Sequence, residues 1–186
     1  MAKRKVYAFN VFKVFTMSAL ISFSVSLVGK ESVTLIAKQG IRYDSSSGQP
    51  FTGVYEKFSD SNVLIEKSTY KEGKRDGHSS WFSEAGGLVS KRTYKDGKLN
   101  GRFEDYYEDG QVSTSGSYKD NLKEGVFQTF YIGGTLEKDY FYKKGLKNGA
   151  WKEYYDTGEV KRSGISLNGR DKSIILWNRD GTVKKQ

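Results

Sequence analysis

From Gly53 onward the chain repeats its apolar and polar positions with a period of 24 residues. Counting each of Gly53, Gly77, Gly101, Gly125 and Gly149 as position one, position six is always aromatic: Phe58, Phe82, Tyr106, Phe130 and Tyr154. Position twelve is always aliphatic: Leu64, Leu88, Val112, Leu136 and Val160. Position eighteen is Tyr70, Tyr94, Tyr118 and Tyr142, then Ser166. A partial sixth copy holds Trp177 and Asp180-Gly181. A fixed period of this length marks a repeat architecture, in which each copy is one small supersecondary unit.

Two further columns define that unit. Position ten is Asn62, Gly86, Gly110, Gly134 and Gly158; position twenty-one is Gly73, Gly97, Asn121, Gly145 and Gly169. Gly and Asn are the residues that most readily accept a positive φ. Each copy therefore carries two turns and two strands. Position nine varies too freely for a two-residue type I′ turn. A three-residue loop over positions eight to ten suits it better, and places position six opposite position twelve. Alternation along a strand puts positions six, twelve and eighteen on one face, the expected core. The predicted fold is all-β: an elongated, twisted antiparallel sheet of tandem hairpins, each adding roughly 10 Å.

By the same alternation, positions three and seven face away from that core. In the last three copies they are Phe103, Tyr107, Phe127, Tyr131, Trp151 and Tyr155. An outer sheet face is ordinarily polar, and contiguous exposed aromatics mark contact surfaces. These six residues are the candidate partner-binding stripe, with Tyr107, Tyr131 and Tyr155 expected to be more exposed than Tyr106, Phe130 and Tyr154. A bulge at the position-one glycine, flipping the alternation, is the competing reading.

Residues 1–29 read as a secretory signal: Lys3-Arg4-Lys5, then after Lys13 an uncharged, largely apolar run from Val14 to Gly29. The run is shorter than the roughly 20 residues of a spanning helix; an uncleaved anchor is the alternative. Either places the repeats outside the cytoplasmic membrane. Residues 30–52 read as an N-terminal cap, with a short strand at Val33–Ala37 and a loop at Asp44–Gly48, ahead of the repeat domain 53–186.

Composition narrows the function. The net charge is +9, and Lys3, Arg4, Lys5 and Lys13 carry four of those positives. The remaining +5 lies on a mixed-sign surface and gives no basis for a nucleic-acid partner. There is no cysteine and one histidine, His78, which removes thiolate chemistry, disulfides and most structural zinc sites. The glycines recur as hairpin turns, and no phosphate-binding loop is present. No cofactor, metal or catalytic residue is indicated.

The units Gly101-Arg-Phe-Glu-Asp-Tyr-Tyr-Glu-Asp-Gly-Gln-Val112 and Gly149-Ala-Trp-Lys-Glu-Tyr-Tyr-Asp-Thr-Gly-Glu-Val160 resemble the variant MORN repeat. So does the tyrosine that precedes Lys-Asp-Gly, and the resemblance covers about residues 51–186. It is weaker in the second copy, which has Ser79 at position three. Bacterial proteins of this kind are commonly labelled YwqK-type antitoxins, which implies an inhibitor of a partner protein. The expectation is an exported, non-catalytic scaffold that binds a protein; the alternative is adhesion to glycan or lipid headgroups through the aromatic stripe.

Overall fold

The computed structural model describes residues 33–184 and the backbone of Val6–Phe9. The segment expected to be a signal, residues 1–29, lies outside the described residues apart from that backbone. Every described element is a strand: β1 (Val6–Phe9), β2 (Leu35–Lys38), β3 (Ile41–Asp44), β4 (Gly53–Phe58), β5 (Leu64–Lys71), β6 (Lys74–Phe82), β7 (Leu88–Lys95), β8 (Lys98–Tyr106), β9 (Val112–Lys119), β10 (Leu122–Lys123), β11 (Gly125–Phe130), β12 (Leu136–Lys143), β13 (Leu146–Lys147), β14 (Gly149–Tyr154), β15 (Val160–Leu167) and β16 (Arg170–Leu176). Among the described residues, one antiparallel sheet holds 14 strands and runs in chain order from β4 to β16, with β1 on the β4 edge.

The Gly/Asn columns turn the chain as their chemistry requires. At position ten Asn62 has φ 62° and Gly110 84°. The loop closes by hydrogen bonds from the amide of position ten to the carbonyl of position seven, and from the amide of seven to the carbonyl of eleven, as in Gly110 to Tyr107 (3.0 Å) and Tyr107 to Gln111 (2.8 Å). Position six then lies opposite position twelve in all five copies, from Phe58 and Leu64 to Tyr154 and Val160. The other turn has positive φ at two successive residues, as at Glu72 (49°) and Gly73 (76°), the signature of a type I′ hairpin turn.

The expected core face is corrected. A register shift falls just before position six in each copy, at Lys57/Phe58, Trp81/Phe82, Asp105/Tyr106, Thr129/Phe130 and Glu153/Tyr154. A bulge adds one residue to one strand and so reverses the alternation beyond it. Position eighteen therefore pairs with position one, and position sixteen with position three: Gly101 faces Tyr118, and Phe103 faces Gly116. The tyrosine column thus joins position three, while position six lies with position four on the opposite face, where the Tyr106 hydroxyl donates to Glu104 (2.6 Å). The competing reading puts a face-flipping bulge at the glycine; a register shift does flank Gly77 and Gly101, at Ser68/Tyr70 and Arg92/Tyr94, but the shift that reverses the faces lies beside the loop.

The buried face is consequently the one expected to be exposed. Phe103, Phe127 and Trp151 are only 4–5% accessible. Tyr107, Tyr131 and Tyr155 are half-buried, as are Tyr106, Phe130 and Tyr154, so none of the six is an exposed residue. Gly116 lies between Phe103 and Phe127 and lets their rings approach to 5.3 Å between centroids. Tyr118 and Tyr142 pack against this row from the side, at 5.2 and 5.0 Å from Phe103 and Phe127.

The second copy, with Ser79 in place of the aromatic, is filled from a neighbouring position. Ser79 is 1% accessible. Trp81, two residues along on the same face, stacks with the Arg75 guanidinium (5.5 Å), which also meets the rings of Tyr70 and Tyr94.

Residues 34–51 form a separate two-stranded hairpin, β2–β3. It docks on the first type I′ turn: the Arg42 amide donates to the Gly73 carbonyl (2.8 Å), and the Gly73 amide to the Phe51 carbonyl (2.7 Å). The same bond from turn to preceding copy recurs along the sheet, as from Gly97 to Arg75 and from Gly145 to Lys123.

Candidate functional site

The inner face joins its aromatics to paired charges. Arg75 donates to Glu66 (2.7 Å), Arg92 to Asp105 (3.0 Å) and Arg162 to Glu153 (2.6 Å). Lys123 sits 4.8 Å above both Phe127 and Tyr142; Lys147 and Arg162 cover Trp151. Cations over ring faces gain electrostatically while their stems shield the rings from water. Glu153 also accepts a short bond from the Tyr140 hydroxyl. The Arg162 guanidinium holds the Glu153 carboxyl below its usual range, and burial beside Glu153 pushes the Tyr140 hydroxyl up. This carboxylate is thus neutralised and enclosed, the state of a structural ion pair; a general base needs a reachable proton.

The three tyrosines of the expected stripe link adjacent copies. The Tyr107 hydroxyl donates to the Phe130 carbonyl (2.5 Å), Tyr131 to Tyr154 (2.9 Å) and Tyr155 to Trp177 (3.0 Å). The burial of Phe103, Phe127 and Trp151 and these tyrosine bonds commit the six stripe residues to holding the sheet together.

The exposed apolar surface is on the other face. Leu122, Val126, Phe141, Leu146, Ile165 and Leu167 are 43–54% accessible. Val126 lies directly across from Phe141, and Ala150 across from Ile165. Leu122 is stacked beneath Gly145, and Leu146 beneath Gly169. Apart from the half-buried Val54, the corresponding row in earlier copies is polar: Thr69, His78, Thr93, Arg102 and Ser117. The apolar stretch thus begins with Leu122, at the end of the third copy. The bulge reverses the faces and so hides this surface in the sequence; the change from His78, Thr93, Arg102 and Ser117 in the second and third copies to Val126, Phe141, Ala150 and Ile165 is the signal the sequence carries.

Its rim is mixed in charge, with Lys119, Asp120, Lys143 and Lys144 along the turns; the Lys144 amide donates to Glu124 (2.8 Å). His78, in the polar half, has Nδ1 3.4 Å from the Thr93 hydroxyl. It borders a shallow cavity of 340 Å³ with Lys91, Arg102 and Glu104. Among the described residues no group of three His, Asp or Glu side chains could hold a metal ion, and no helix is long and apolar enough to cross a membrane.

These features define a tandem-hairpin sheet with a structural aromatic face and a contact-competent opposite face. Residues 75–96, 99–120 and 147–165 match the MORN repeat variant family, and the chain carries repeats of that kind. Such repeats are protein- or membrane-binding modules. No curated protein matches the chain. Among solved structures, a mutant of Staphylococcus aureus TarM, in complex with Fondaparinux, alpha-GlcNAc-glycerol and UDP, is similar at 12% identity and a TM-score of 0.35. That similarity covers 62% of this chain and 21% of the other. At that score it has no bearing on function.

Proposed function

We propose that the protein is an exported, non-catalytic scaffold that binds another protein through the apolar face of its last hairpins. The observation that carries this reading is the cluster of Leu122, Val126, Phe141, Leu146, Ile165 and Leu167, each 43–54% accessible. A soluble protein seldom leaves such a contiguous apolar surface open without a use for it. The mixed-sign rim favours a protein over an anionic membrane, because Asp120 and Glu124 would face lipid phosphates while a protein partner can answer both signs. A YwqK-type, antitoxin-like role is one form of this activity, with the inhibited protein as the partner. Export rests on the basic, then apolar, run of residues 1–29.

The test uses the full chain with Val126, Phe141 and Ile165 all changed to lysine. Wild type is expected to retain a specific partner after cross-linking, and the folded triple variant to lose it. Sedimentation of wild type with liposomes or polysaccharide, without any protein, would instead support surface adhesion. Retention of the same partner by the triple variant would refute the patch. The N-terminal residue and cell fraction of the native protein test export separately.

A further inference from the structure

We infer that the cleft between the β2–β3 hairpin and the first repeat binds a small organic anion: a ring-sized body bearing a carboxylate or a phosphate ester. This site lies on the inner face and is independent of the apolar patch. Its volume is 290 Å³, at the lower end of small-molecule sites (roughly 300–1,000 Å³). It is lined by Leu35, Arg42, Tyr55, Lys57, Tyr70 and Arg75, together with the Arg75-paired Glu66. A second cavity of 180 Å³ shares Arg42, Tyr70 and Arg75 and continues the cleft along the first turn.

Elsewhere on the inner face a half-buried arginine meets a carboxylate, as Arg75 meets Glu66 and Arg92 meets Asp105. Arg42 and Lys57 are half-buried too, and among the described residues neither has an ion-pair partner. Lys57 faces Glu66 across the strands without an ion pair, and Glu66 Oε1 instead accepts from Arg75 (2.7 Å) and from the Ser68 hydroxyl (2.7 Å). A partly desolvated, unpaired cation is costly. Two such cations flanking one cleft form a site that an anion would complete.

The walls supply the rest. Tyr55 and Tyr70 meet edge to face with centroids 6.2 Å apart, and Leu35 adds apolar surface. A ring can lie against these groups while its acid group reaches the cations. The geometry is set before any ligand arrives. The Arg42 amide donates to Gly73 (2.8 Å) and its carbonyl accepts from Phe51 (2.9 Å). A Cβ on Gly73 would come within 2.3 Å of the Ile41 side chain, so the joint beneath Arg42 is closely packed. A preformed site loses less ordering entropy on binding.

The test is titration of the full-length protein with glucuronate, glucose 6-phosphate and glucose, followed by amide chemical shifts and calorimetry at low salt. Saturable binding of at least one of the two anions is expected, with the shifts clustered at Arg42, Lys57 and Tyr70. Glucose should give none. Arg42→Gln with Lys57→Gln should weaken binding at least tenfold, while Arg102→Gln, on the opposite face, leaves it unchanged. The single Lys57→Gln variant, at a side chain that makes no ion pair among the described residues, serves if the double variant loses its fold, and should also weaken binding. The inference is overturned if neither anion saturates, if glucose binds as well as they do, or if the Gln variants bind like wild type.

Discussion

The Tyr131 hydroxyl donates to the Tyr154 carbonyl at 2.9 Å, tying the fourth copy to the fifth, 23 residues on. The same bond is made by Tyr107 and Tyr155. In a repeat array, stability is a sum of unit terms and nearest-neighbour interface terms, and this bond is an interface term. Tyr131→Phe keeps the ring and removes the bond. It should cost about 0.5–1.5 kcal/mol in urea unfolding. A variant as stable as wild type would mean the bond contributes nothing.

Gly116 owes its identity to space. Its φ is not positive, yet an added Cβ would lie 2.8 Å from Phe127 and 2.9 Å from Phe103. Gly116→Ala should destabilise by about 1–3 kcal/mol through overpacking. Gly87→Ala, whose nearest contact is the Ser83 hydroxyl at 3.4 Å, should stay within about 0.5 kcal/mol of wild type. Equal effects at both sites would contradict the packing of the aromatic row.

Acid should weaken the inner face through Glu153. Its carboxyl titrates below the ordinary 4.5, held there by Arg162. A depressed carboxyl pKa contributes stability that is present above the unfolded value and lost as pH falls through the folded one. The stability difference between wild type and Glu153→Gln should therefore be largest near neutral pH and shrink below about pH 4.5. Denaturant midpoints measured across that range check this; a difference independent of pH would contradict it.

Alkali should act through the tyrosines. Burial beside Glu104 pushes the Tyr106 hydroxyl up to about 12, and burial beside Glu153 raises Tyr140 as well. A raised pKa contributes stability that is complete below the ordinary value of 10.0 and lost as pH climbs through the folded value. Phenolate absorbance of the folded protein should show late-titrating tyrosines, one of which disappears in Tyr106→Phe. Titration of every tyrosine near 10.0 would contradict this.

Much of the fold was legible because its turns are written in residues with unusual backbone freedom. Asn62 and Gly86 mark a left-handed loop position, and the three-residue loop this implies placed Phe82 opposite Leu88. The faces were not legible. Alternation counted from Leu88 to Tyr94 assumes a regular strand, and one bulge at Trp81/Phe82 overturns it. Nothing in the varied residues at positions five and thirteen announces that bulge. The positive φ at Asp96 and Lys144 was equally hidden, because neither residue requires it.

The central claim is that position three holds the sheet together and position seventeen faces outward. Urea unfolding of Phe127→Ala beside Phe141→Ser tests it most directly. The account predicts a loss of about 3–5 kcal/mol for the buried ring and a change within about 0.5 kcal/mol for the exposed one. The reverse order, with Phe141 the costlier residue to remove, would contradict it.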